Sequence, residues 1–453
     1  MSTALRRLPY FGALALLIYM PFHVFLAQSL SLITGGLDAW KLAKDIILAV
    51  LVLFTICLVW WQKGGGRLYY RVLLLGAGYA VVHVLLWALH PTLYTQSAEI
   101  GIIYNNRIFG FVLLGLGAGL LLDSRRSLNQ VFVLRLLITT STVVAILGVA
   151  QYFLPHDLLS HVGYSVQRGV LPAFYIDSKT EFPRVMSTLR DPNSLGAYLI
   201  LPITGLTALL LKARTGTRRL QWAALLAVHT VALFLTFSRG AWAAGLLSVG
   251  LLVLWEYGAK GLPLAKRFAP ALLVALVLSV VALVAFRHSY VLKSVLTHST
   301  GKPQAAHDSN GFHLVFAEHG IQGIVRNPFG HGPGTAGLAS IQNPSGSFLT
   351  ENYYIQIGYE VGVLGLLIFL ALNVWVYRGL VARRAESPLL VGALLSSFWA
   401  YVLMNMLFHM WSNEAVAAQW WITAGLVLAS RLVTPEPNGR KFAGRRRQQL
   451  AAK

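Results

Sequence analysis

The sequence predicts an all-α polytopic membrane protein with about twelve transmembrane helices and two long loops on one face. Three observations predict it. First, 56% of the 453 residues are hydrophobic and only 12% are charged, against about 25% charge in soluble domains. Second, the apolar residues fall in long runs. Runs of about 18–25 residues suit a hydrocarbon core of roughly 30 Å, and lipid forces their backbone into helices because nothing else satisfies the N–H and C=O groups. Third, lysine and arginine recur in alternate inter-helix loops, for example Arg6, Lys63, Arg71, Lys212, Arg218 and Arg384. That alternation is the positive-inside pattern and predicts both termini in the cytoplasm. It also accounts for the net charge of +21, so no nucleic-acid partner is expected.

Spans are expected at 8–33, 42–61, 70–93, 101–122, 130–154, 193–212, 219–237, 239–257, 268–287, 352–377, 387–409 and 414–432. The first run is too long for the apolar core of a cleaved signal and reads as a helix. Residues 219–257 form one apolar stretch. It would be about 58 Å long as a single helix, too long for one crossing, so Ser238-Arg239-Gly240 is expected to turn it into a hairpin. The organisation that follows is five helices in 1–154, a first outer loop at 155–192, helices six to nine in 193–287, a large outer loop at 288–351, helices ten to twelve in 352–432, and a basic cytoplasmic tail at 433–453. Loops this long are functional or disordered. The large one contains a helical stretch over 311–326 and a glycine-rich turn over 327–334, so order is expected. The tail, rich in arginine, reads as disordered with weak affinity for anionic lipid. The single cysteine, Cys57, excludes an intramolecular disulfide and four-cysteine zinc patterns.

Candidate chemistry gathers on the expected outer face. The positive-inside bias disfavours arginine there, yet Arg184, Arg190, Arg239 and Arg326 fall in outer segments and Arg107 early in the fourth span. Arginine suits bidentate contact with phosphate. Asp191 and Pro192 fit the N-cap and first position of the sixth helix, with Arg190 and Asn193 beside that positive helix end. Ser238 can cap the eighth helix with Arg239 in its first turn. Two arginines and two helix N-termini could thus meet and hold a pyrophosphate whose lipid tail lies in the bilayer. The competing reading is interfacial arginines paired with headgroups.

Glu351 and Asn352 open the tenth helix. Glu351 is either a helix-end charge or a general base whose pKa partial burial raises. Outer histidines such as His156, His161, His313 and His319 show no metal-ligand spacing. His331, inside Gly330-His331-Gly332-Pro333-Gly334, is the second acid–base candidate. No Asp-x-Asp pair occurs in the chain, and no metal or cofactor is expected.

Four segments together resemble the O-antigen ligase and O-antigen polymerase superfamily of bacterial envelope glycosyltransferases. They are 184–196 (RVMSTLRDPNSLG), 236–247 (TFSRGAWAAGLL), 327–334 (NPFGHGPG) and 351–365 (ENYYIQIGYEVGVLG). Their order and the long outer loop match as well. The resemblance implies a GT-C-like fold in the bacterial inner membrane and an inverting, metal-independent transfer on the periplasmic face. Its donor would be a glycan on undecaprenyl pyrophosphate, held by Arg184, Arg190 and Arg239. A base, Glu351 or His331, would deprotonate the acceptor hydroxyl, with Asn193, Ser238, Asn352 and Arg326 in support. The family's ligases carry histidine where this chain has Glu351, which tilts the reading to a polymerase acting in O-antigen or exopolysaccharide synthesis. The acceptor is then another lipid-linked glycan. The ligase alternative uses lipid A core or a protein. A transporter or flippase is the rival class, and it would place its polar groups nearer the bilayer centre.

Overall fold

The computed structural model describes residues 3–62, 66–122, 128–176, 179–258, 309–344 and 346–430. The expected span 268–287, the first third of the large loop and the basic tail lie outside them. Thirteen helices fall among the described residues: α1 (Thr3–Tyr19), α2 (His23–Thr34), α3 (Leu37–Trp61), α4 (Arg67–Leu89), α5 (Thr95–Leu121), α6 (Gln130–Phe153), α7 (Pro192–Lys212), α8 (Gly216–Leu235), α9 (Arg239–Tyr257), α10 (Ser309–Arg326), α11 (Tyr353–Ala382), α12 (Pro388–Leu407) and α13 (Glu414–Ala429). A short 3-10 turn over Met20–Phe22 joins α1 to α2, so the pair acts as one span. Among the described residues eight helices are long and apolar enough to cross a membrane. The chain is a multi-pass helical membrane protein, and α8, α9 and α13 stand where further spans are expected.

The bundle core is built by small residues. Gly115 and Gly119 of α5 face α13, where a Cβ on Gly115 would overlap the Ile422 carbonyl oxygen and one on Gly119 would crowd Ala429 and Ser430. Gly425 returns the contact from α13 against α5 backbone. Helices in lipid gain from such close approach because no hydrophobic effect drives them together there. Trp411, Trp420, Trp421 and Tyr401 fill the neighbouring space, almost fully buried.

The hairpin expected at Ser238 is present: α8 ends at Leu235, α9 begins at Arg239, and both pack on α7 more than on each other. Two features differ from the sequence reading. The first outer loop carries an antiparallel pair, β1 (Phe174–Ile176) and β2 (Lys179–Arg184), so the fold is not purely helical. This loop lies outside the helices, where alternating side chains can pair as strands. The other difference is in α11. Its backbone leaves the helical region at Val361 (φ −118°, ψ 16°) and Gly362 (φ 69°, ψ −176°). Tyr353 packs its ring on that of Phe369 with centroids 5.6 Å apart. Sixteen residues of straight helix would separate the two by about 24 Å, so the first two turns of α11 fold across the end of the bundle. Helical periodicity alone could not show this, because apolar residues continue through the break.

The described residues of the interhelical segments 155–191, 236–238, 327–352 and 408–413 meet at one end of the bundle. Gln151 at the end of α6 accepts the Met186 and Ser187 amides at 3.0 and 2.8 Å. Thr188 donates to the Pro21 carbonyl, and Ser97 of α5 donates to Ala339. These are the loops assigned to one face by charge alternation.

Candidate active site

At that end a cavity of about 160 Å³ is lined by Tyr104, Arg190, Asn193, Glu351, His409 and Glu414, among others. Three helices begin on its wall. Asp191 caps α7, accepting the Ser194 amide at 2.9 Å and its hydroxyl at 2.6 Å, with Pro192 as the first helical residue. Asn352 caps α11 through the Ile355 amide at 3.0 Å. Asn413 caps α13 through the Ala415 and Val416 amides. A fourth start, α9, lies alongside. Ser238 accepts the Ala241 amide there, and Gly240 lies against the ring of Phe408, a cavity residue. Helix N-termini carry partial positive charge and favour anions.

Of the three arginines expected to hold a pyrophosphate, Arg190 alone lines the cavity. Arg184, delivered by the end of β2, sits behind it. Its Nε donates to the Thr236 carbonyl and its Nη2 to Asn193 Oδ1, both at 2.9 Å. Arg184 therefore ties the α8–α9 junction to the α7 N-terminus and orients Asn193, which does face the cavity. Burial lowers the Arg184 pKa and the Arg239 charge lowers it further, while Asp191 opposes both. That field places Arg239 within electrostatic reach of Arg184, and guanidinium remains charged at neutral pH. The arginines gather around the start of α7, in two layers.

Glu351 lines the same cavity, and burial raises its pKa above the usual carboxylate range. Its backbone is left-handed, φ 50°. Among the described residues the other non-glycine residues with positive φ are Ser187 (φ 54°) and Phe237 (φ 47°). Each costs on the order of 1–3 kcal/mol and persists only where its surroundings over-determine it. All three fall in the segments that carry the candidate residues: 184–191, 236–239 and 351–352. Asn352 also donates to the Met406 carbonyl at 3.1 Å, fastening this segment to the end of α12.

The structure does not bring His331 to this cavity. Its ring stacks on Tyr359 at 4.0 Å and 8°, and its amide donates to the Tyr359 carbonyl at 2.9 Å. The turn around it closes over Glu360, which is fully buried. The Glu360 carboxylate accepts the Gly334 and Ala336 amides at 3.1 and 3.2 Å and the Asn105 side chain at 2.6 Å. Here the glycine-rich turn is a latch on the α11 break. Arg326 is exposed in the last turn of α10 and lines no part of the cavity. Arg107 is buried inside the bundle, where Nε pairs with Asp45 at 2.8 Å and Nη1 with Glu414 at 3.5 Å.

Sequence reasoning missed His409. It is 7% exposed, lines the cavity, and its Nε2 lies 3.2 Å from Thr350 Oγ1. Thr350 donates its own proton to the Asn352 carbonyl at 2.9 Å, which leaves the imidazole Nε2–H as donor to Thr350. Glu414 was missed as well; it reaches the cavity with its charge partnered by Arg107. The run His409-Met410-Trp411-Ser412-Asn413-Glu414, polar residues between two apolar helices on the expected outer face, was the available signal.

The architecture and site therefore define a class: a multi-pass helical membrane protein with a polar cavity set among helix N-termini at one end of its bundle. The O-antigen ligase family model matches residues 222–370, and the match supports placing the chain in the O-antigen ligase/polymerase superfamily. The matched stretch includes 236–247, 327–334 and 351–365, three of the four segments that carry the resemblance. Comparison with curated proteins found no match.

Proposed function

We propose that the protein transfers a glycan from undecaprenyl pyrophosphate to an acceptor hydroxyl at the periplasmic face of the inner membrane, with inversion at the anomeric carbon and without a metal. The observation that carries this reading is the lining of one cavity by Arg190, the α7 N-terminus and Glu351.

Arg190 and the positive end of the α7 dipole bind the diphosphate, and Arg184 and Arg239 add positive field behind them. The Glu351 carboxylate takes the proton of the acceptor hydroxyl as its oxygen attacks the anomeric carbon. The bond from that carbon to the phosphate oxygen breaks, and undecaprenyl pyrophosphate leaves with the electron pair. Arginine and helix dipole stabilise that developing charge. Desolvation, by raising the Glu351 pKa, strengthens the base. His409 and Glu414 offer hydrogen bonds to sugar hydroxyls. A volume of about 160 Å³ is below the roughly 300–1,000 Å³ of ordinary ligand pockets, so the cavity encloses the reacting groups and leaves the rest of the glycan outside. A lipid-linked glycan as acceptor, hence a polymerase, is favoured by glutamate at position 351. Lipid A core or a protein as acceptor makes it a ligase.

The test is reconstitution in liposomes with an undecaprenyl-pyrophosphate glycan, offered alone and with lipid A core, with chelator in a parallel arm. Polymer from the donor alone supports the polymerase, and a product only with lipid A core supports the ligase. No product from either, with a folded protein and a competent donor, sinks the transferase reading.

A further inference from the structure

Helix α10 has a surface that the proposed reaction does not use. Ile321 and Val325, four residues apart, share one side of α10 and are 52% and 75% exposed; Phe329, in the turn after the helix ends at Arg326, is 82% exposed. Beside them runs a second exposed stripe, Glu318, Gln322 and Arg326, in which Gln322 donates to Glu318 at 3.1 Å. The opposite side of α10 packs on the first turns of α11: Gly320 against Ile355, Gly323 against Tyr359 and Ile324 against Gly358. Those contacts advance together along the two helices, so α10 runs alongside the segment of α11 that folds across the bundle end.

The level of this surface follows from α11. From Val363 to Ala382 there are 20 residues past the break, about 30 Å of helix and the thickness of a hydrocarbon core. The break at Val361–Gly362 thus marks one end of a stretch of the length that crosses a hydrocarbon core. The Val363 amide donates to the Pro328 carbonyl at 2.9 Å, and a Cβ on Gly362 would meet the Phe329 backbone. Phe329 is therefore fastened at that end of the stretch. Just beyond it Val363, Leu364 and Leu367 are exposed on the crossing helix. Exposed apolar residues thus stand on both sides of this junction: Val363, Leu364 and Leu367 on α11, and Phe329, Val325 and Ile321 on the loop and α10.

We propose that this stripe docks on the lipid bilayer, so that the large loop is anchored in the leaflet at the cavity end. Phe329 enters furthest, the polar stripe faces water, and Arg326 stands at the border where a guanidinium reaches lipid phosphates. An amphipathic helix with apolar and charged stripes side by side lies in an interface in this way. The inference rests on the fold alone and holds whatever the cavity does.

The test uses the full chain in phosphatidylcholine–phosphatidylglycerol nanodiscs with the exposed Cys57 replaced by serine. An environment-sensitive fluorophore is attached in turn to E318C, Q322C, V325C and F329C. Blue-shifted emission at 325 and 329, lost when nitroxide sits on the lipid acyl chains, with water-like unquenched emission at 318 and 322, is the expected result. Equal emission and quenching at all four positions overturns the proposal. Blue shift at 325 and 329 without nitroxide quenching, disappearing when the protein is diluted among excess discs, also overturns it and assigns the stripe to a second copy of the chain.

Discussion

Around Glu360 the polar groups are turned toward protein, whereas around Glu351, nine residues earlier, they line a cavity. Both carboxylates belong to the same motif segment, and both stand where loop meets helix. Glu360 accepts two backbone amides and the Asn105 side chain and is fully buried. Glu351 faces a cavity shared with Arg190 and His409. A buried carboxylate that accepts hydrogen bonds from its own backbone is a fastener; one beside an arginine at a cavity wall can exchange a proton with something that arrives. The contrast also separates two motif residues of similar promise, since His331 belongs to the fastener.

Replacing Glu351 with Gln is the strongest way to break the contrast. Loss of a general base costs about 10²–10⁴-fold in rate, so glycan transfer in proteoliposomes should fall by that factor while thermal stability holds. In the parent protein the raised pKa sets the sign of the pH dependence. The base must be ionised, so activity declines on the acid side at a pH above the usual carboxylate value of 4.5, and Glu351→Gln should abolish that limb. A parent profile flat down to that value would remove Glu351 from the base role.

Arg190→Ala comes next. One charge-assisted phosphate contact is worth about 1.5–3 kcal/mol, or roughly tenfold to a hundredfold in transfer rate. Arg190→Lys should recover part of the loss. Arg184→Ala should show in stability as well as rate, because it releases Thr236 and Asn193 together. Equal losses at Arg184 and Arg190 with no change in melting temperature would erase the two-layer arrangement.

Glu360→Ala should act on folding. Leaving the Gly334 and Ala336 amides unpaired costs about 1–3 kcal/mol each, seen as a lower melting temperature and faster proteolysis within 327–337, with the rate per folded molecule nearly kept. His331→Ala is the smallest effect: loss of its stack on Tyr359 is worth about 0.5–1.5 kcal/mol, with transfer close to the parent's. If His331→Ala instead matched Glu351→Gln in rate at unchanged stability, the division between the two regions would be wrong.

Much of the bundle was legible because lipid leaves few choices. An apolar run of sufficient length must be helical, and the expected apolar runs fall on helices wherever residues are described, eight of them long and apolar enough to cross, although the run at 352–377 breaks at Gly362. The Asp191-Pro192 start of α7 and the Ser238 start of α9 were readable for a local reason: capping is decided within three or four residues. His409 was not readable as a site residue. The run 409–414 marked its segment, but its role depends on Thr350, 59 positions away in the chain. The layering of the arginines was hidden for the same reason. Arg184 and Arg190 have similar surroundings in the sequence, and only the packing of α7 against the α8–α9 junction puts one behind the other.

By itself the sequence determined the membrane class, where most helices run along the chain and where several of them start. Those follow from hydropathy and capping, which act over a few to some twenty residues. Only the tertiary structure decided which polar groups share a cavity and which are consumed by the protein's own backbone, and that α11 breaks at Gly362 with α10 packed on its first turns. Those outcomes depend on contacts between distant segments, such as Glu360 with Gly334 and Arg184 with Thr236, and such pairings are fixed by packing in three dimensions.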